Sequence, residues 1–349
     1  MRSRRSWALL ACALLAGACS SGIAGEDAGT RPRPPEPKPV LCPLSGLEAE
    51  PEGVVVRPAV AVKVENNPAA YPLAGLEHAE VVYEEQVEGG MTRFMAIFHC
   101  NDSPKVGPIR SAREVDPAIM TPTTRILASA GGNDIVRGIL DEAGVVLVDE
   151  DTAGDAMRRV SRPGIGLEHT LYGHTRHLRR LGAANFSQPP PNGIFRFGET
   201  RGVWKSAGSV TVNFGLATSI TYTWRNGRWL RSERGEPFVA ESGEQIAVDN
   251  VVIEEHEVNN STRIFDVAGN PSIEIADITG SGRALVFRDG KVIVGRWVRE
   301  KARDKVTYLT RAGREIGLTP GTTWIELLPS SAGDVKGSFS YSPTPPPSN

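Results

Sequence analysis

Between residues 57 and 100 the apolar positions come in three short runs, "RPAVAVKVEN", "AEVVYEEQVE" and "TRFMAIFHC". Their β-branched and aromatic content suits a pleated, half-buried surface, so each predicts a strand. "NDIVRGILDEAG" reads instead as a short helix, with Asn133 as N-cap and Gly144 just past the C-terminus, and it leads into another apolar strand, "VVLVDE". Strands mixed with helices predict a mixed α/β domain over residues 41–187.

After the "SQPPPNG" break at 187–193 the pattern changes in kind. "SVTVNF", "SITYTW", "RWLRSE", "NVVIEEHEV", "RALVFRDGKVIVGRWV", "KVTYL" and "TTWIELL" are all strand-like, and Asn226-Gly227 and Asp289-Gly290 sit between alternating apolar positions as hairpin turns. A mostly antiparallel β domain is expected over residues 188–330. The fold class is therefore α+β, an N-terminal mixed α/β domain followed by a mostly antiparallel β domain. The last stretch, 331–349, is rich in Pro, Ser and Gly and reads as a disordered tail.

The other end of the chain is addressed elsewhere. "MRSRRSWALLACALLAGAC" carries three arginines, an apolar run from Trp7 to Ala18 and no acid. The run is short of the roughly 20 residues that span a bilayer, but it fits a signal peptide covering residues 1–18. Ala16-Gly17-Ala18-Cys19 resembles the lipobox of bacterial lipoproteins, which implies cleavage before Cys19 and lipid, such as palmitate, on its sulfur. Residues 19–40 are then a lipid-anchored flexible linker, too rich in Pro, Gly and charge to build a core. The location expected is extracytoplasmic, at the outer face of the cytoplasmic membrane.

Removing the leader takes away Arg2, Arg4 and Arg5 and moves the formal charge from −2 to −5. A mildly acidic chain has no electrostatic footprint for nucleic acid, so no nucleic-acid partner is expected. Cys12 leaves with the leader and Cys19 takes the lipid, which leaves Cys42 and Cys100. In an oxidising compartment these two are expected to pair; the alternative is two buried thiols.

"CPLSGLEAEP", "RPAVAVKVENNPAAYPLAGLEHAEVVYEEQVEGGMTRFMAIF" and "KVGPIRSARE" resemble the signature of the YerB-like bacterial lipoproteins. "AVDNVVIEEHEV", "DITGSGRALVFRDGKVIVGRW" and "LTPGTTWIEL" resemble the second domain of the same family. The resemblance implies an envelope location and two consecutive domains of unknown function, and it supplies no reaction. Pro117 and Pro122 interrupt a run that is longer in the family, and Glu168-His169-Thr170 stands where a Pro-His-Asn-like triplet is more usual.

The chemistry concentrates in "KVGPIRSAREVDP", where Arg110 and Arg113 flank Ser111 and Ala112. Ser111 through Glu114 spell a capping box; alternatively Asp116 caps a helix with Pro117 at its first position. Either start supplies N–H groups and a dipole that suit an anion, with Arg93 joining Arg110 and Arg113 as a ligand-binding set. Internal pairing of these arginines with Glu84, Glu85 and Glu88 is the other reading. A catalytic reading joins Glu88 to His169 as an acid–base pair.

No Gly-x-Ser-x-Gly or His-Glu-x-x-His motif is present. His174 and His177 could share a helix face, but their basic, glycine-containing surroundings favour a solvated segment, so no metal and no cofactor is expected. Gly131-Gly132 is weak as a phosphate loop, and Trp224, Trp229 and Trp297 suit a core better than a sugar platform. The expected role is a binding or scaffold module in the cell envelope, recognising an anionic envelope polymer or a partner protein. The alternative is a cell-envelope hydrolase or transferase using Glu88 and His169.

Overall fold

A computed structural model describes residues 38–266 and 268–345; the leader, Cys19 and the linker as far as residue 37 lie outside the described residues. The first half contributes β1 (Val60–Asn66), β2 (Val81–Gln86), β3 (Thr92–Phe98), α1 (Asp116–Met120), β4 (Ile126–Ala128), α2 (Asp134–Glu142), β5 (Val146–Val148), β6 (Met157–Arg159), β7 (Leu171–Gly173) and α3 (Thr175–Gly182). The second half opens with β8 (Lys205–Ser206), β9 (Ser209–Phe214), β10 (Thr218–Arg225), β11 (Arg228–Glu233), β12 (Glu236–Pro237) and β13 (Ala247–Val248). It closes with β14 (Asn250–His256), β15 (Val258–Phe265), β16 (Pro271–Ile275), β17 (Gly280–Arg288), β18 (Lys291–Arg299), β19 (Thr307–Thr310), β20 (Thr323–Pro329) and β21 (Ser338–Ser342).

One large sheet runs through both halves in the order β19-β18-β17-β14-β20-β2-β3-β1-β4-β5, with β8 also on β18. Its seam is β20, which lies parallel to β14 on one side and to β2 on the other. A second, antiparallel sheet, β12-β11-β10-β9-β21 with β13 on β11, packs on one face of the first. β15 and β16 form a separate two-stranded sheet.

The alternation of side chains assigns the faces. Val60, Val62 and Val64 of β1 join Leu285 and Phe287 of β17 in a core shared with Val210, Val212, Tyr222 and Trp229 of the second sheet. Ala61, Met95, Val286 and Ile325 point to the opposite face, where α1 and α2 add Ile119, Met120, Val136 and Leu140. Trp229 and Trp297 are fully buried, so both are core residues.

Helix is scarcer than the sequence suggested. The parallel strands β1, β4 and β5 do carry α3 on one face and α2 on the other. That corner is all there is of the expected mixed α/β domain, and the fold as a whole is predominantly β. The reason is that the second sheet covers much of one face of the large sheet, which leaves little room for covering helices. No helix among the described residues is long and apolar enough to cross a membrane.

Local expectations fare unevenly. Asn133 caps α2, its side chain accepting from the Val136 N–H at 2.9 Å. Asn226-Gly227 and Asp289-Gly290 turn with positive φ at all four positions, as tight hairpins require. Part of the tail is ordered: Ser338–Ser342 forms β21 and pairs with Asn213–Ser209 of β9. Phe339 and Tyr341 pack against the core from there, a long-range contact that composition alone does not reveal. Cys42 and Cys100 are bridged, with Cα atoms 6.2 Å apart.

The seam between the sheets is charged. Arg231 of β11 is fully buried, with Nη1 2.8 Å from Glu84 and Nη2 2.8 Å from Glu233, and Glu326 lies 3.8 Å away. Tyr222 donates to Glu326 at 2.5 Å. On the other face of β2, Lys63 of β1 is buried against Glu85 and against Asp116 of α1.

Candidate functional site: an arginine-lined pocket

β1 and β3 are in register with Glu65 opposite Arg93 and Asn66 opposite Thr92. The polar end of an otherwise apolar strand pair thus opens a cleft. "GPIR" extends β1's other edge: Glu65 N–H donates to the Pro108 carbonyl and Arg110 N–H to the Lys63 carbonyl. This approach requires Gly107, at φ 141°, because a Cβ there would stand 2.8 Å from the Leu171 carbonyl oxygen. Ala112 N–H then bonds to the Gly131 carbonyl, so the Gly131-Gly132 turn serves to hold the arginine segment.

The capping box at Ser111 does not form. The helical turn begins at Arg113, whose N–H donates to Asp116 Oδ2 at 2.7 Å, and α1 itself is only five residues long with Pro117 in its first turn. Ser111 is spent differently: its carbonyl accepts from both Arg93 at 3.0 Å and Arg113 at 3.3 Å. So short a helix has little dipole to offer, and the positive character of the site comes from the side chains.

These side chains line a cavity of about 370 Å³. Arg93, Arg110, Ser111 and Arg113 form one wall, Glu65, Asn66, Asn67 and Glu88 another, and Ile264, Phe265 and Asp266 reach in from the end of β15. Phe265 is half exposed at the lip. Arg113 holds Glu88 Oε2 through Nε at 3.1 Å and Nη2 at 2.5 Å. Burial pushes the Glu88 carboxyl up, but Arg113 and then Arg93 outweigh this and hold it below the ordinary carboxylate value.

Arg110 lies 3.5 Å from Glu65 and donates to the Glu168 carbonyl at 2.7 Å. Arg93 has no carboxylate in ion-pair contact among the described residues; its hydrogen bond goes to Ser111. Burial, and next the charge of Arg113, push its guanidinium down to about 9.

His169 does not meet Glu88. Its Nδ1 lies 2.9 and 2.8 Å from the two carboxylate oxygens of Glu65, and Nε2 faces Glu168 at 3.6 Å. Glu84 and Glu85 are likewise absent from the pocket, committed to Arg231 and Lys63. His174 and His177 stack on one another with ring centroids 4.3 Å apart, and no group of three His, Cys, Asp or Glu suited to a metal occurs among the described residues.

Glu65, Asn66 and Thr92 went unnoticed in the sequence because they terminate strands that read as core. The signal available was the charge inside "AVAVKVEN", which an apolar strand tolerates only beside a partner.

The family model described as "Protein of unknown function (DUF3048) N-terminal domain" matches residues 44–187, and the model for the corresponding C-terminal domain matches residues 210–325. A protein of Bacillus subtilis (strain 168) that bears the name "Putative lipoprotein YerB" is 27% identical over 305 residues, covering 85% of this chain and 88% of that one. The crystal structure of the YerB protein from Bacillus subtilis is similar with a TM-score of 0.69 and 26% identity, over 86% of this chain and 99% of that one. Matched in sequence through both domains, this chain belongs to the YerB-like family of paired domains of unknown function.

Proposed function

We propose that this protein is an exported lipoprotein, held by lipid on Cys19 at the outer face of the cytoplasmic membrane, whose arginine pocket binds an anionic group of an envelope polymer or partner protein. The leader's order of basic, apolar and small residues supports export and anchoring, as does the name of the Bacillus subtilis relative. Arg93 carries the binding reading. Arg113 has Glu88 and Arg110 has Glu65, but Arg93 faces the cavity beside two like charges with a carbonyl as its partner. A phosphate or carboxylate entering there would meet a guanidinium fork without displacing an internal acid.

The test uses full-length protein with inorganic phosphate in calorimetry and purified cell-wall sacculi in co-sedimentation. Wild type should bind both, and Arg93→Met and Arg110→Ala should each weaken binding at least tenfold. Binding unchanged in both variants overturns the proposal, as does a wild type that binds neither probe. Cys19→Ala should move the protein from the membrane to the soluble fraction.

A hydrolase or transferase reading rests on a different pair from the one expected. Glu88 is locked to Arg113, and the acid beside His169 is Glu65, at the pocket wall. Soluble fragments released from the sacculi by wild type, and lost in His169→Gln, would favour that reading.

A further inference from the structure

A second cavity, of about 380 Å³, lies on the far side of the large sheet's order, sharing no lining residue with the arginine pocket. It forms where the edge of β18 is left open. β8 pairs with Lys291 and Val292, β19 pairs from Gly295 to Val298, and Ile293 and Val294 between them have no strand partner on that edge. Val203, Val292, Ile293 and Val294 line its apolar side; Val203 is 81% exposed, while Val292 and Ile293 are themselves buried.

The charged residues around this cavity are all of one sign: Arg201, Lys205, Arg311 and Arg314, with no acid among the lining residues. None of the four side chains makes an ion pair or hydrogen bond among the described residues. On a chain whose formal charge is −2, a ring of four unpaired cations about an apolar hollow runs against the overall balance. Some exposed cations of this fold find acids, as Arg159 does with Glu150 and Lys105 with Glu241; the four here are set apart by converging on one apolar hollow.

We propose that this cavity binds an anionic amphiphile, a lipid-like molecule with a phosphate head and one apolar chain. The chain lies along Val203 and Val294, the accessible part of the apolar lining, replacing water there. The phosphate sits at the rim, where Arg311 and Arg314 offer paired N–H donors and Lys205 a point charge. Apolar surface alone would accept a neutral chain, and the cations alone would accept free phosphate; the combination selects a molecule that has both.

The experiment uses the full chain with Cys19→Ala, so that no acyl group is attached, and monododecyl phosphate below its micelle range. Titration calorimetry should give one saturable site, with dodecyl maltoside and inorganic phosphate each binding at least tenfold more weakly. Arg311→Glu/Arg314→Glu should weaken the phosphate amphiphile at least tenfold with an unchanged melting temperature, since both side chains are exposed. Ala312→Trp, which puts an indole at the mouth, should block binding and serves as a second variant. Equal binding of the maltoside removes the role of charge, equal binding of inorganic phosphate removes the role of the apolar surface, and wild-type affinity in both variants places the molecule elsewhere. Any of these overturns the proposal.

Discussion

Glu84 of β2 and Glu326 of β20 stand opposite each other across the parallel seam, both fully buried beside the single guanidinium of Arg231. With Glu233 also on Arg231, three carboxyls surround one cation. Burial pushes Glu326 far above the ordinary range, Glu84 adding to it, and burial likewise raises Glu84. Both shifts favour one proton shared between the two glutamates.

That proton makes stability depend on pH. A carboxyl whose folded pKa exceeds the unfolded value of about 4.3 binds protons more tightly in the folded state. Its contribution is full below that value and is lost as pH rises through the raised one. Glu80 and Glu85, both pushed up to about 7 chiefly by burial, act in the same direction. Melting temperature should fall from pH 5 to pH 8. Glu326→Gln, a neutral isostere, should flatten part of this slope and match or exceed wild type at pH 8. Parallel curves for the two proteins would show that the proton resides elsewhere.

Glu88 and Arg113 have the opposite sign. Because Glu88 is held below its ordinary value, the pair stabilises above about pH 4.3 and is lost as pH falls through the depressed folded value. A double-mutant cycle of Glu88→Ala and Arg113→Ala at pH 7 should give a coupling of about 0.5–3 kcal/mol. The same cycle repeated at pH 3 should show it diminished, and a coupling near zero at both pH values would mean that the contact carries no energy.

The Cys42–Cys100 bridge closes a loop of 58 residues that includes β1, β2 and β3. Chain-entropy arguments assign such a closure about 4 kcal/mol. Cys42→Ser/Cys100→Ser should lower stability in urea by roughly this amount, with the fold retained by circular dichroism. Loss of well under 1 kcal/mol would place the stabilisation in the surrounding contacts, such as Arg57 with the carbonyls of His99 and Cys100.

Local features were legible in the sequence and long-range ones were not. Asn133 and Gly144 bound α2, and both Xaa-Gly turns sit where apolar alternation put them, because caps and tight turns are decided by a few adjacent residues. The convergence of Arg93, Arg110, Ser111, Arg113 and Glu88 on one cavity was readable as a cluster of charge within a short span. Glu65 as the partner of His169 was not, since the two are 104 residues apart. Neither was the reach of Phe265 and Asp266 into the pocket, nor the place of β20, because strand order leaves no trace in local periodicity. Ser111-Glu114 misled for a local reason: Asp116 offers a stronger acceptor to the Arg113 N–H, and the helical turn starts there.

The position of β20 bears on how the chain can mature. Strands near the N-terminus are made first, yet β2 waits for a neighbour that begins at Thr323, 237 residues after Gln86 ends its strand. Until that late segment arrives, β2 shows a row of unsatisfied backbone groups, an invitation to pairing with other molecules. A chain cut short before Thr323 would leave unpaired the edges of β2 and β14 that β20 joins. The two halves of the chain thus share one strand, and neither completes its part of the sheet without it.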